Sequence, residues 1–542
     1  SEIEIKYEGM AVSLPNPQHQ QQQKFNLTFR KPDRIQVISN CGDSPMRLAE
    51  QTVLNCYSPG LTSVKAKKQQ PDQAWTLKLS HSPFARGSPS NDAIAARELA
   101  CDLLLASWRA GWALVAAPIV TNVRDVATWF FQRRPDADPL VGADTDAQNF
   151  YCCCLMLTQS NGLRFVRFPP GLTERVAELV ASMWPAGVQC AGSELRLSGC
   201  PWTAQKADGA SARRLLLRLV ELMQRNGWQL LTSARIKDSS DSLYFCHRDG
   251  GCDDIFSDHP SALSLQQAQL MLISLHDKQS VRMEGGDPDS DSTWLANALN
   301  RLWHRGVQSH GNYYGAVDIR LGGSPWLPTD KNSKNLCRQL ICRLLGELRT
   351  RGWRVLHSLD IYRRYPVIKS AFLFARTAPE PEPVRHCCFW TGVSNRLSFI
   401  DVPEGLLESS IAVANACGNV ASQKAREHAY ELKFRGQACN KLDWRILLTN
   451  LLGEFTTNGW RLACTGNVSG RFYSDDSTSY SLEVHSWWFA WPGSAERKEL
   501  EAAVSATAFT TAELASFSEP DGSAQLPQMP PSYDSLFGPP PV

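Results

Sequence analysis

No apolar run in this chain approaches the roughly 20 residues that a helix needs to cross a bilayer, so a helical membrane span is not expected. The opening stretch, SEIEIKYEGMAVSLP, has no basic segment followed by an apolar one, and a secretory signal is not expected either. Charge of one sign is also missing. With 56 basic and 54 acidic residues the formal net charge is +2, which gives no general pull toward nucleic acid or acidic lipid. Local basic stretches such as Ile361–Pro366 read as solvated faces. Catalytic signatures are absent as well: there is no GxSxG elbow, no HExxH, no GxxxxGK[ST] phosphate loop and no GxGxxG after a strand. The 11 histidines are scattered. No catalytic residue, metal or cofactor is therefore expected.

Cysteine is plentiful, yet its pattern excludes a disulfide framework. Cys101, Cys152, Cys153, Cys154, Cys342, Cys387 and Cys388 lie inside apolar strand or helix patterns, where a thiol behaves as a small buried hydrophobe. An odd total of 17 and no secretory signal point to a reducing cytosol. Cys246-His247, Cys252, Asp253-Asp254 and His259 are zinc-ligand types, but their order matches no paired arrangement and reads as a strand end followed by a linker. The run Cys152–Cys154 cannot face one metal, because consecutive strand residues point to opposite faces.

What is present is repetition. Four times a helix-like apolar run ends in Gly-Trp and passes into a strand-like run, at Gly111-Trp112, Gly227-Trp228, Gly352-Trp353 and Gly459-Trp460. A fixed order of elements recurring about every 115 residues is an internal repeat. Glycine caps the helix in the left-handed conformation, and the tryptophan is expected in the core. An aromatic strand follows each junction (ATWFFQ, SLYFCH, AFLFAR, SWWFAW), and an alternating strand precedes each helix (WTLKLS, ELRLSG, VDIRLGG, YELKFRG). Three of the latter lead into Pro83-Phe84, Pro201-Trp202 and Pro325-Trp326. Trp202 and Trp326 are read as structural, with an aromatic ligand cage as the functional alternative. Upstream, FYCCCLML and HCCFWTGV open matching strand–strand–helix segments.

The predicted fold is α+β: four tandem repeats of a two-layer β-β-α-β-α-β-β unit followed by a disordered Pro-rich C-terminal tail. Linkers rich in Pro, Gly and Asp divide the chain into a polar arm at 1–23, units at 24–135, 148–249, 265–378 and 385–493, and a tail at 494–542. That tail carries Pro530-Pro531-Ser532-Tyr533, a PPxY sequence suited to a WW domain, where prolines enter an aromatic groove and Tyr533 fills a neighbouring pocket. Tyr533 also opens Tyr-Asp-Ser-Leu, ending at Leu536, which fits the tyrosine-based sorting pattern read by clathrin adaptors.

The pattern LVELMQRNGWQLLTS…SLYFCHR, together with FYCCCLMLTQSNGLRFVRF and the helix after it, resembles segments of the raftlin family of membrane-associated scaffold proteins. That resemblance implies a scaffold that works at a membrane surface. Attachment there relies on an N-terminal Gly/Cys lipidation signal, whereas this sequence reads Ser1-Glu2-Ile3. The leading expectation is a non-catalytic cytoplasmic scaffold or adaptor that binds WW-domain proteins, such as a HECT-type ubiquitin ligase, and no nucleic acid. A raftlin-like peripheral membrane or trafficking scaffold is the second reading, and an enzyme with an unrecognised active site the third. A pocket that differs among otherwise similar units would be the most informative feature to find.

Overall fold

At each Gly-Trp junction the helix stops because the glycine turns left-handed, with φ of +79° at Gly111, +80° at Gly227, +75° at Gly352 and +81° at Gly459. Only glycine holds that backbone without a steric cost. Its N–H donates one turn back, Gly111 to the Trp108 carbonyl at 2.9 Å and Gly352 to the Arg349 carbonyl at 3.0 Å. The tryptophan that follows opens a strand, or in repeat 4 immediately precedes it, and is buried, at 3, 9, 1 and 3% exposure for Trp112, Trp228, Trp353 and Trp460.

The computed structural model describes residues 23–68, 73–85, 90–120, 125–134, 150–158, 161–192, 194–237, 240–248, 268–359, 369–392, 395–417, 420–436, 442–469, 472–474, 479–481 and 485–492. Repeat 1 comprises β1 (Lys24–Arg30), β2 (Arg34–Ser39), α1 (Ser44–Cys56), β3 (Leu61–Lys68), β4 (Gln73–Leu79), α2 (Ser90–Arg109), β5 (Trp112–Ala116) and β6 (Asp125–Arg133). Repeat 2 comprises β7 (Phe150–Thr158), β8 (Gly162–Val166), α3 (Pro170–Met183), β9 (Val188–Ala191), β10 (Glu194–Leu197), α4 (Lys206–Arg225), β11 (Trp228–Lys237) and β12 (Ser240–Arg248). Repeat 3 comprises β13 (Leu270–His276), β14 (Ser280–Gly285), α5 (Ser290–Leu302), β15 (Val307–Tyr313), β16 (Ala316–Leu321), α6 (Lys331–Thr350), β17 (Trp353–Leu359) and β18 (Ala371–Arg376). Repeat 4 comprises β19 (His386–Gly392), β20 (Arg396–Ile400), α7 (Glu404–Ala416), β21 (Val420–Arg426), β22 (Ala429–Phe434), α8 (Leu442–Thr457), β23 (Arg461–Gly466), a small hairpin β24–β25 (Phe472–Ser474, Ser479–Ser481) and β26 (Ser486–Ala490).

Each repeat folds into one six-stranded antiparallel sheet of the same order, β3-β4-β2-β1-β6-β5 in repeat 1. The unit is therefore β-β-α-β-β-α-β-β, one strand richer than the β-β-α-β-α-β-β read from sequence. The extra strands are β3, β9, β15 and β21, which form a sheet edge and pair on one side only. VQSHGNY in β15 and VASQKAR in β21 are exposed at nearly every position. With no buried face there is no alternation for a sequence pattern to show, and polar edges of this kind resist pairing with other chains.

The first strand behaves in the opposite way. β7, β13 and β19 are buried along almost their whole length, on both faces. One face packs on the repeat's own helices and the other on the second helix of the preceding repeat. Cys153, Leu155 and Leu157 face α3 and α4, while Cys152 and Cys154 join the core of repeat 1 around α2. In the same way α4 packs on β13 and β14, α6 on β19 and β20, and α8 on β1. The last contact closes the chain of repeats into a ring. Asn26 Nδ2 donates to Thr449 Oγ1 at 2.9 Å across it, and Phe130 meets Trp487 edge-on at 5.1 Å. The fifth strands also meet: His357 Nε2 bonds the Leu230 carbonyl at 2.5 Å, and the Ser358 hydroxyl bonds the Thr465 carbonyl. Each second helix is thus covered from two sides, which is why runs such as LLLRLVELM are apolar most of the way round.

Candidate functional site

Counting back from the Gly-Trp tryptophan, one helix position carries arginine in all four repeats: Arg97, Arg213, Arg338 and Arg445. All four are buried, at 0, 5, 0 and 1% exposure. Each reaches from a second helix toward the next repeat. Arg97 Nε donates to Ser242 Oγ at 3.2 Å, and Arg338 Nε to Ser486 Oγ at 2.8 Å. Burial pushes Arg445 down to about 9, with Arg30 adding to the effect. Sequence reasoning singles out the glycines and aromatics and passes over this residue, because a lone basic side chain on a helix reads as a wet face. Aligning the four helices on Gly-Trp is the signal that reveals it.

The four junctions share one frame and differ in what fills it. Strand pairing places Thr28, Met156, Ser274 and Trp390 at equivalent positions, with Arg30, Thr158, His276 and Gly392 two residues on. In the 3/4 junction the Trp390 ring lies under Arg338, with the guanidinium carbon 3.9 Å from its centroid. In the 2/3 junction the equivalent residue is the small Ser274, and a cleft of about 400 Å³, open solvent included, remains between the repeats. Its lining includes Trp202, Arg213, Ser274, His276 and Lys369.

A second difference sits beside it. The residues that pair alike on the second strands are Ile38, Val166, Glu284 and Ile400, three apolar and one acidic. Glu284 Oε1 accepts from Arg213 Nε at 2.6 Å, with side chains 0 and 6% exposed. Burial raises the Glu284 carboxyl, and Arg213 partly offsets this. The pair engages one N–H only. Arg213 Nη2 and Glu284 Oε2 have no hydrogen-bond partner among the described residues. A buried ion pair is at best about as stabilising as the apolar contact it replaces, and three sister junctions manage without one.

The other charges around the cleft are placed as follows. Arg282 Nε is 2.9 Å from Asp318 Oδ1, and its Nη2 is 3.5 Å from Asp277 Oδ2. Lys369 donates to the Asp277 backbone carbonyl. Burial lowers Lys369 to about 8, with Asp277 acting the other way. His276 Nε2 lies 2.9 Å from Ser274 Oγ. Burial, then Arg213, Arg282 and Lys369, hold the imidazole well below its usual range, so it is neutral at pH 7. Chemically this is a cationic, half-enclosed cleft with one aromatic wall.

The residues singled out from the sequence fall elsewhere, with one exception. Gly111, Gly227, Gly352 and Gly459 are the helix caps, and their tryptophans lie in the cores. Trp326 is fully buried and donates to the Ser280 carbonyl at 3.0 Å, so it offers no cage. Trp202 donates likewise to the Gly162 carbonyl at 3.0 Å, and it also forms the cleft wall. Pro530, Pro531, Tyr533 and Leu536 lie outside the described residues, as do Cys252, Asp253, Asp254 and His259. No disulfide and no cluster of metal-ligand type occurs among the described residues, and no described helix is long and apolar enough to cross a membrane.

Comparison with known proteins matches the four repeats to one family model, a single domain that recurs at residues 23–132, 151–246, 269–375 and 385–490. No curated protein and no solved structure matches the chain. The four copies span well over half of the sequence, and the chain belongs to the family that this domain defines.

Proposed function

We propose that this protein is a non-catalytic scaffold of the cytoplasm. Its four-repeat body would carry a recruiting segment, Pro530-Pro531-Ser532-Tyr533, for a WW-domain protein such as a HECT-type ubiquitin ligase. One observation carries the reading: the residues that recur in every repeat are consumed by folding. The glycines cap helices, the tryptophans fill cores and the arginines lie buried between repeats. A chain that uses its repeated residues to hold itself together gives over its short linear motifs to partners. The overlapping Tyr533-Asp534-Ser535-Leu536 favours a second reading, a raftlin-like trafficking scaffold at a membrane surface that engages a clathrin adaptor.

A peptide spanning Leu526–Gly538 separates the two. Binding to a panel of WW domains, read by fluorescence anisotropy, should be modest, because a short groove buries little area and the peptide must be ordered. Tyr533→Ala should abolish it and Ser532→Ala should leave it unchanged. Phosphorylated Tyr533 should not bind, since a charge of about −2 would enter an apolar pocket. Leu536→Ala should spare WW binding. A peptide ignored by every WW domain, yet bound by an adaptor subunit through Leu536, would hand the function to the second reading.

A further inference from the structure

The cleft between repeats 2 and 3 combines features that occur together in no sister junction. Small Ser274 replaces the Trp390 that fills the same place in the 3/4 junction. Glu284 replaces an aliphatic residue and holds Arg213 by its Nε alone, which leaves a buried Nη2 without a hydrogen-bond partner among the described residues, on a side chain that belongs to the cleft lining. Lys369, itself 7% exposed, also lines the cleft. Charge favours an anion there. Arg213 faces Glu284, Arg282 faces Asp318, and the remaining carboxylate, Asp277, is 68% exposed and therefore screened by water. Inside the cleft Lys369 adds a cation that donates to the Asp277 backbone carbonyl and that the water-exposed Asp277 carboxylate offsets only in part.

We propose that this cleft binds a small oxyanion of phosphate size, held by Arg213 Nη2 and Lys369 against the Trp202 wall. Arg213 on α4 and Lys369 ahead of β18 come to the cleft from separate elements, which suits a tetrahedral anion better than a flat carboxylate, which two parallel N–H groups would satisfy. The depth of Arg213, whose side chain is 6% exposed, suits an anion free in solution rather than a phosphate fixed to a membrane surface.

The test is calorimetric titration of the full chain with inorganic phosphate at pH 7, in sodium chloride of matched ionic strength. One saturable site is expected. Lys369→Met should weaken it about tenfold to a hundredfold, the loss of one charge-assisted hydrogen bond. The joint change Arg213→Met with Glu284→Ile removes the buried pair as a unit, so it keeps the fold and should lose binding. Wild-type binding should weaken as pH rises beyond about 8 and Lys369 loses its proton; Asp277 and Cys337 act on Lys369, which itself acts on His276 together with Arg213 and Arg282, the two arginines paired to Glu284 and Asp318. Absence of saturable heat, or unchanged binding by both folded variants, would mean an adventitious ion only. Recruitment to phosphatidic acid vesicles that Lys369→Met abolishes would overturn the free-anion assignment in favour of a lipid headgroup.

Discussion

Arg213 and Glu284 show what a single residue costs at a repeat junction. Arg213 is one of four arginines at one helix position, and Glu284 stands where its sister strands hold Ile38, Val166 and Ile400. Arg213→Met alone strands a carboxylate at 0% exposure and should cost about 3–5 kcal/mol in urea denaturation. Adding Glu284→Ile recreates the apolar register of the other three junctions and should recover most of that loss. A double variant as unstable as the single one would show that the pair is not the junction's weak point. Neither residue was legible in the sequence. An arginine on a helix and a glutamate in a strand both read as wet faces until the neighbouring repeat covers them. The Gly-Trp dipeptide was legible, because its backbone requirement is local and owes nothing to the neighbour.

Elements were legible where their own residue pattern marks them. The helices ending in Gly-Trp and the aromatic sixth strands carry periodicity of their own, and they stand where the sequence puts them. The edge strands β3, β9, β15 and β21 were invisible because they bury no face. Strands such as FYCCCLML read as strands, but their burial on both faces was not legible, because the element covering the second face is a helix from another repeat. A further recurrent device is a bulge in the fifth strand, between Leu114 and Ala116, Leu230 and Thr232, Val355 and His357, and Leu462 and Cys464. It lies two residues past the tryptophan, and bulges re-aim a strand by adding local twist. The cap before it can be tested directly. Gly352→Ala places a Cβ 2.4 Å from the Thr377 carbonyl oxygen at φ +75°. The left-handed backbone alone should cost about 1–2 kcal/mol, and the clash adds to that. Gly405→Ala, in the first turn of α7 with nothing within 4 Å, should stabilise by about 0.5–1 kcal/mol. Equal midpoints for the two variants in chemical denaturation would contradict the cap.

At the scale of the whole molecule, closure is what separates this protein from an open array. In a solenoid each repeat touches only its neighbours and the end repeats need polar caps. Here α8 covers β1, so every sheet has a helix from the preceding repeat and no repeat is terminal. A change at the 4/1 seam should therefore be felt all round. Lys24 provides the means. It lies at that seam at 3% exposure, with Nζ 3.4 Å from Thr456 Oγ1, and burial lowers it to about 8 while Glu454 acts the other way. Below pH 8 the native state carries this buried charge at a cost. Between about pH 8 and 10.5 the unfolded chain binds the proton and the native state does not, so the lysine's contribution to stability rises with pH. Lys24→Met should then stabilise the protein at pH 7 by up to about 3 kcal/mol, and its advantage should fade as pH climbs through that window. Comparison with the wild type at each pH cancels the opposing effect of thiols such as Cys101, Cys153 and Cys154, which burial holds well above their usual range in the native state. Hydrogen exchange at the fifth strands β5, β11, β17 and β23 is the readout that tests closure. In a closed ring the slowest amides of all four should gain protection together. Protection gained by β5 alone would mean that the seam is an ordinary contact between end repeats and that the ring unfolds as an open chain of units.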